Sequence, residues 1–450
     1  MGLHGLSPAV PAFSAGTRRK HQFKTYPANV FRGLLIGLLL TPMPRMAAAE
    51  SATWTLESTI QRAAQVAPEG RAADAEVGVR QGELTQAGAW PSPTIDLRAD
   101  DRLGQEDSRG GTDFTQLAIS QPLPLRRLAR QRAAAEARLN GADAVRRLRR
   151  LELERETARD FHALQLAQAR LRLAHERVTQ TDTYPGVAPR ASGERLNRYL
   201  APLDRARLEL LHEETHQAVS VAEREREQAL IAFRARLALS ADAAAEAPPL
   251  AEPPAPPVLE ALERNLENHP LLTAARKEHE AAEANIAVVQ SQRFADPALN
   301  LFRERDILAG ARRDVTGVGL SIQVPLWNTN PGVVDKARAE ALRARTEFEI
   351  ARRDTHARLR RSHAELMLVR AQAERARTSL LEPARRLNEL ARRSFSAGEA
   401  NVLALIDAAS SYFDAQARYA ELVAQAQESA AELRLASGVS MLNSSMETAP

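Results

Sequence analysis

Cysteine is absent from all 450 residues, which removes disulfides, thiolate zinc sites, cysteine nucleophiles and any lipid anchor carried on a cysteine. Aromatic residues are scarce, at 4%. A chain so poor in large rings does not fill several thick cores, although its length alone suggests about three domains. No Gly-rich phosphate loop occurs, so nucleotide binding is not expected of this chain and any energy input must come from a partner. Past the N-terminus no stretch is apolar enough for a membrane helix, which needs about 20 residues. Membrane contact would then fall to strands or to the protein surface.

What is abundant is Ala, Arg, Leu and Glu, with charged residues at 26%. Small and straight-chain residues lose little entropy in a helix, so this bias predicts long helices and coiled coils around thin seams. The net charge of +4 is local in origin. Arg18, Arg19, Lys20, Lys24, Arg32 and Arg45 stand in the first 49 residues without one acid. The remainder holds 55 basic and 57 acidic residues, a net of −2. Nucleic acid is therefore not an expected partner. Arg146, Arg147, Arg149, Arg150, Arg360 and Arg361 lack the stacking aromatics of an RNA surface, and interspersed Glu predicts helical ion pairs instead.

The basic start leads into a short apolar run over 31–40, two prolines at 42 and 44, and the small residues Ala47, Ala48 and Ala49. This is the pattern of a secretory signal cleaved after Ala49. The expected organisation is a signal peptide over 1–49, a first repeat over 50–246, a Pro-rich linker over 247–257, a second repeat over 258–440 and a tail over 441–450.

Each repeat opens alike. Leu56 and Glu57 start a helix that meets Pro68; Leu259 and Glu260 start one that meets Pro270. Each continues through Ala-rich helix to a short alternating segment, at Pro93-Thr94-Ile95-Asp96-Leu97 and at Pro297-Ala298-Leu299-Asn300-Leu301. A polar loop follows, then a second alternating segment over 114–120 or 315–324. In the latter, Val318, Leu320, Ile322 and Val324 share one face, and Gly317, Gly319, Ser321 and Gln323 the other. Period two predicts a strand with an apolar and a polar side. Gln121-Pro122-Leu123 and Val324-Pro325-Leu326 stop both segments.

Long helices are predicted next. Over 333–395, Leu359, Leu366, Ala373, Leu380 and Leu387 recur by sevens, with Val369, Ala376 and Leu390 on companion positions. Threes and fours alternate from Val402 to Leu433, and from Leu164 to Val178. Such spacing predicts helices packed side by side. A helix of about 55 residues would run about 80 Å. Hairpin turns are placed at Ala191-Ser192-Gly193-Glu194 and at Phe395-Ser396-Ala397-Gly398-Glu399.

The duplicated openings, the duplicated strand-Pro-Leu stops and the stretch from Phe395 through Ala400, Asn401, Val402, Ile406 and Asp407 resemble the TolC-like outer-membrane factors. Trp327-Asn328-Thr329-Asn330-Pro331-Gly332 after Pro325 is most similar to their heavy-metal (CzcC-like) branch. The resemblance covers nearly the whole mature chain. It implies a mainly α fold with a small β part, assembled as a homotrimer whose β-barrel continues into a periplasmic α-helical barrel. It implies no enzyme and no cofactor. The chain would be the passive outer-membrane exit of a tripartite efflux or type I secretion system, its substrates including metal cations. Its partners would be a periplasmic adaptor (membrane fusion protein), an inner-membrane pump of RND type and outer-membrane lipid. The tube would close at its periplasmic end and dilate when the adaptor docks.

On that reading Gly317, Gly319, Ser321 and Gln323 line the barrel lumen, and Val318, Leu320 and Ile322 face lipid. Trp90 and Trp327 flank the strands at the headgroup level. Ser396, Ala397, Gly398, Glu399 and Ala400 form the adaptor-docking tip. The first hairpin departs from the family pattern at Tyr184, Pro185, Pro189 and Pro202. The alternative is a periplasmic coiled-coil scaffold or adaptor without a pore. The four strands discriminate, because an adaptor has one helical hairpin and no duplicated proline-stopped strands.

His212-Glu213-Glu214-Thr215-His216 matches the metalloprotease pattern H-E-x-x-H. No acid lies between Glu227 and Asp242 to supply a third ligand, and a helical tube offers no substrate cleft. The segment is read as a solvated helix face with no metal role beyond weak surface binding.

Overall fold

The structure is a computed structural model, and it describes residues 53–100, 114–184, 202–308, 311–325 and 329–442. The expected signal segment over 1–49, Trp327 and the first hairpin turn at 191–194 lie outside them.

Two short helices open the described chain, α1 (Leu56–Val66) and α2 (Pro68–Ala87). Thr55 caps α1 by accepting from the Ser58 amide at 3.2 Å. Ala67 is extended because the residue before a proline is pushed out of the helical region, so the helix breaks where Pro68 begins the next. Strands β1 (Thr94–Asp100) and β2 (Phe114–Pro122) follow. Then come α3 (Arg127–Asp182), of 56 residues, and α4 (Pro202–Leu237). At 1.5 Å per residue α3 spans roughly 80 Å.

Past the proline-rich stretch stand α5 (Leu259–Asn265), a 3-10 turn (Leu266–Asn268) and α6 (Pro270–Ser291). His269 occupies the pre-proline position and caps α6 through Nδ1, which accepts from the Leu271 amide at 3.1 Å. Strands β3 (Ala298–Leu308) and β4 (Ala311–Ser321) lead to α7 (Pro331–Ala376), a π turn (Arg377–Leu381), α8 (Glu382–Ser396) and α9 (Val402–Ser437).

The core is a set of thin clusters along the helices. Phe161, Leu164, Leu230, Phe233 and Leu237 join α3 to α4 and cover Ala63 of α1. Leu262, Leu266, Leu359, Leu366 and Leu433 join α5, α7 and α9. Tyr184, Leu208, Leu211, Val402 and Leu405 close the end remote from the strands. Between clusters, arginines bridge neighbouring helices: Arg170 reaches Glu225 at 3.1 Å and Glu421 at 2.7 Å, and Arg236 reaches Asp160 at 2.8 Å. In the arginine clusters named above, pairs form both within a helix and between helices. Arg149 pairs with Glu152 within α3, and Arg360 crosses to Glu263 at 2.7 Å.

The proline-rich linker cannot satisfy its own backbone, and helix side chains do so instead. Gln165 donates to the Pro248 carbonyl and Gln427 to that of Ala251. The Tyr419 hydroxyl donates to Glu252 at 2.7 Å. The end of the described chain is held by a buried carboxylate: Glu154 accepts from Ser440 Oγ at 2.8 Å and from the Met441 amide at 2.7 Å.

Two expectations change. The seam along 333–395 does not hold to its end. Leu359, Leu366, Val369 and Ala373 are buried, but Leu380, Leu387 and Leu390 are exposed, and Ala384 and Asn388 are buried in their place. The π turn adds one residue to the helical ladder and so rotates the buried stripe by one position. Pro383 supplies the cause, since it has no amide to donate and its ring crowds the carbonyl four residues back. Strand β4 also stops at Ser321, so Ile322, Gln323 and Val324 continue the alternation beyond the last ladder pair.

Candidate functional site: the sheet and the hairpin tip

The four strands form one antiparallel sheet in the order β1-β2-β3-β4. The central pairing, β2 with β3, joins segments distant in sequence and sets Ile119 opposite Leu301 and Ser120 opposite Asn300. Following the registers across the sheet, Ile95, Ile119, Leu301 and Val318 fall in one row. Leu97 and Leu117 lie beside that row, as do Leu299 and Leu320. All eight side chains stand on one face, and all are exposed. An open apolar surface of this extent is costly in water and marks a contact with lipid or protein.

The opposite face carries Asp96, Arg98, Gln116, Ser120, Asn300, Gly317, Gly319 and Ser321. Asn300 Nδ2 donates to Ser321 Oγ at 2.8 Å. Gly317 and Gly319 are half-buried beside Phe302 and Asn300. On the apolar face, Arg303 and Arg305 both pair with Asp314, at 3.1 and 2.8 Å, where the strands approach the β3–β4 loop. The apolar rows thus end in charge. Trp90, 62% exposed, lies between α2 and β1. Among the described residues, the outer strands β1 and β4 each have one edge without a ladder partner. Phe302 escaped the sequence reading; its signal was a large ring opposite a glycine across two strands.

The other end of the molecule carries the turn between α8 and α9. Gly398 has φ of +76° with open space around it, so the left-handed backbone and not crowding requires glycine there. The Glu399 amide donates to the Ser394 carbonyl at 2.8 Å and the Gly398 amide to that of Phe395 at 3.0 Å. This pair of bonds closes the helix end. Asn401 starts α9 by accepting from the Ala404 amide at 2.9 Å. Ser396, Ala397, Gly398 and Glu399 are exposed and Ala400 is half-exposed, while Val402 is buried in the cluster beneath. The turn stands where the sequence placed it.

His212 and His216 lie one turn apart on α4, with ring centroids 4.3 Å apart. An acid does meet them, but from upstream: Asp182 at the end of α3 places Oδ1 3.2 Å from His212 Nδ1. A search confined to the residues after the motif could not find it.

An amphipathic antiparallel sheet with open edges, continued by long helices of which α3 alone spans roughly 80 Å, with a capped turn at the far end, defines a membrane-wall protein with a helical stalk. Residues 59–189 and 261–439 match the outer membrane efflux protein family, and the chain belongs to it. It is accordingly an outer-membrane efflux channel protein, located in the outer membrane and extending into the periplasm. The chain is 28% identical over 392 residues to the cobalt-zinc-cadmium resistance protein CzcC of Cupriavidus metallidurans, covering 84% of this chain and 88% of that protein. Among solved structures it is similar to VceC of Vibrio cholerae, with a TM-score of 0.70 and 17% identity over 86% of this chain and 97% of that one. It is also similar to the open state of MtrE of Neisseria gonorrhoeae, with a TM-score of 0.66 and 18% identity over 86% and 89%. CusC gives a TM-score of 0.68 at 17% identity, over 85% and 92%.

Proposed function

We propose that three copies of this chain close their sheets into one barrel, and that their helices continue it as a periplasmic tube. Through this duct divalent metal cations leave the cell. The observation that carries the reading is the four-stranded sheet with two unpaired edges and one exposed apolar face. In hydrocarbon an unpaired edge leaves backbone groups unsatisfied at several kcal/mol each, and edge-to-edge closure between copies removes that cost. The face with Val318, Leu320 and Ile322 then meets lipid, and the face with Gly317, Gly319, Ser321 and Gln323 lines water. The order of helices and strands, which recurs from α5 onward, supports two repeats per copy, at 50–246 and 258–440. The basic start, the apolar run over 31–40 and the small residues Ala47, Ala48 and Ala49 support a signal over 1–49 removed after Ala49.

The cation class follows from the relative named for cobalt, zinc and cadmium resistance. Energy and selectivity belong to partners, an inner-membrane pump and a periplasmic adaptor that meets the α8–α9 turn. The test is a deletion strain complemented with the gene. Complementation should restore growth on cobalt, zinc or cadmium, the protein should fractionate with the outer membrane as a trimer, and the purified trimer should conduct in planar bilayers. A soluble periplasmic protein without conductance would return the scaffold reading.

A further inference from the structure

We propose that Asp182, His212 and His216 form a binding site for a divalent transition cation of the zinc–cobalt class, tying the end of α3 to α4 in the stem of the first hairpin. The site stands whatever the duct carries. One ligand atom from each residue lies within 4.8 Å of the other two. His212 and His216 share a helix face because they are four residues apart, and Asp182 comes from the antiparallel neighbour. The stem is held in that register along its length by Arg170 with Glu225 and by Arg236 with Asp160.

Two imidazoles and one carboxylate suit zinc, cobalt or nickel, whereas magnesium and calcium prefer all-oxygen shells. Metal–ligand bonds of about 2.0–2.2 Å place tetrahedral donors about 3.3–3.5 Å apart. The pair His212 Nδ1 and Asp182 Oδ1, at 3.2 Å, is already close to that separation. His216 is exposed, so its ring is free to turn the remaining distance. A fourth position stays open to water.

An ordinary His–Asp ion pair is the competing explanation, and one detail weighs against it. His212 Nδ1 is shielded from solvent and, among the described residues, makes no hydrogen bond of good geometry, although the Asp182 carboxylate is close enough for an ion pair. A shielded nitrogen that faces a carboxylate without hydrogen-bond geometry is poorly satisfied, and a cation between ring and carboxylate would coordinate both. The platform under the site is firm. Leu208, Leu211 and Tyr184 are buried beneath it, and Thr215 Oγ1 donates to the His212 carbonyl at 2.8 Å. Val402 and Leu405, which begin α9 just after the second turn, pack in that same cluster. A metal here therefore stiffens the end of the molecule that carries the α8–α9 turn.

The full chain, purified in detergent without a histidine tag and stripped with chelator, is titrated with zinc and cobalt by calorimetry. One saturable site per chain is expected, which excess magnesium does not displace. H216Q, H212Q and D182A should each weaken binding by at least roughly tenfold, at or beyond the loss seen when a mere outer-shell partner is removed. H175Q, an exposed histidine outside the site, should leave it unchanged. Zinc should also raise the unfolding temperature of the wild type and not that of H216Q. His216 is exposed and glutamine is a good helix former, so this variant keeps the fold. Absence of saturable binding overturns the proposal, as does affinity that survives H212Q/H216Q. Full affinity in D182A overturns it too, because the histidines alone would then be an adventitious surface site.

Discussion

The ring of Phe302 lies across Gly317, its partner on the neighbouring strand: a Cβ at Gly317 would stand 2.4 Å from Phe302 Cζ. Glycine is needed here for close approach and not for backbone conformation. Gly317→Ala should therefore displace the ring and cost about 1–3 kcal/mol, the usual penalty of overpacking. Phe302→Ala/Gly317→Ala should recover much of that loss, because the clash is gone. The unfolding midpoint of the detergent-solubilised protein measures both. Simple additivity in this double-mutant cycle would mean that the ring and the glycine do not interact.

The two faces of β4 should tolerate charge unequally. Leu320 belongs to the apolar series Val318, Leu320, Ile322 and Val324 and is paired with Leu299 inside the ladder. Leu320→Arg should cost about 2–4 kcal/mol in lipid. Ile322→Arg should cost less than Leu320→Arg, because Ile322 follows the last ladder residue. Ser321→Arg, on the polar face, should be the mildest. The yield of heat-resistant trimer on a gel reads all three, and equal damage from Leu320→Arg and Ser321→Arg would mean the facing is reversed.

At the turn, Ala397 and Ala400 should report docking. Ala397 is exposed and Ala400 half-exposed, and neither closes the helix end through its side chain. Ala397→Trp and Ala400→Trp should leave trimer yield and outer-membrane location unchanged while abolishing metal resistance and crosslinking to an adaptor. Gly398→Ala should instead weaken the turn by about 1 kcal/mol, since a side chain is strained at φ of +76°. Resistance that survives both tryptophans would place the docking surface elsewhere.

His269 predicts a loss of stability in acid. Desolvation pushes this buried imidazole below the ordinary histidine value, opposed by its bond to the Leu435 carbonyl and aided by Arg358. The neutral ring is the folded form, donating through Nε2 and accepting through Nδ1. Its contribution is complete above the unfolded value near 6.5 and is lost as pH falls through the lowered folded value. His162, buried against Gln165, is shifted downward in the same way and adds to the trend. Between pH 7 and 5 the unfolding temperature should fall in the wild type and fall less steeply in His269→Asn. Gly438→Ala should destabilise at every pH, by roughly 1–3 kcal/mol, because φ is +75° and a Cβ would meet His269 Cδ2 at 2.8 Å.

Features that depend on near neighbours along the chain were legible from the residues alone. The alternation of Val318 and Leu320 with Gly317 and Gly319 marks a two-faced strand, because side chains two apart share a side. Gly398 marks a turn because few other residues adopt its backbone angle without strain. Pro68 and Pro270 mark helix starts because each forces its predecessor out of the helix. Features that depend on distant packing were not. The heptad pattern through Leu380 and Leu387 was sound as a pattern, but a one-residue π turn ahead of Pro383 rotated it away from the neighbouring helices. The pairing of β2 with β3 unites residues nearly two hundred positions apart, and no local rule selects it. Asp182 reaches His212 and His216 only because α3 and α4 pack antiparallel in one register. That register is set by Phe161, Leu164, Leu230 and Phe233 burying one another far from the three ligands, so their meeting is written in the packing and not in their spacing.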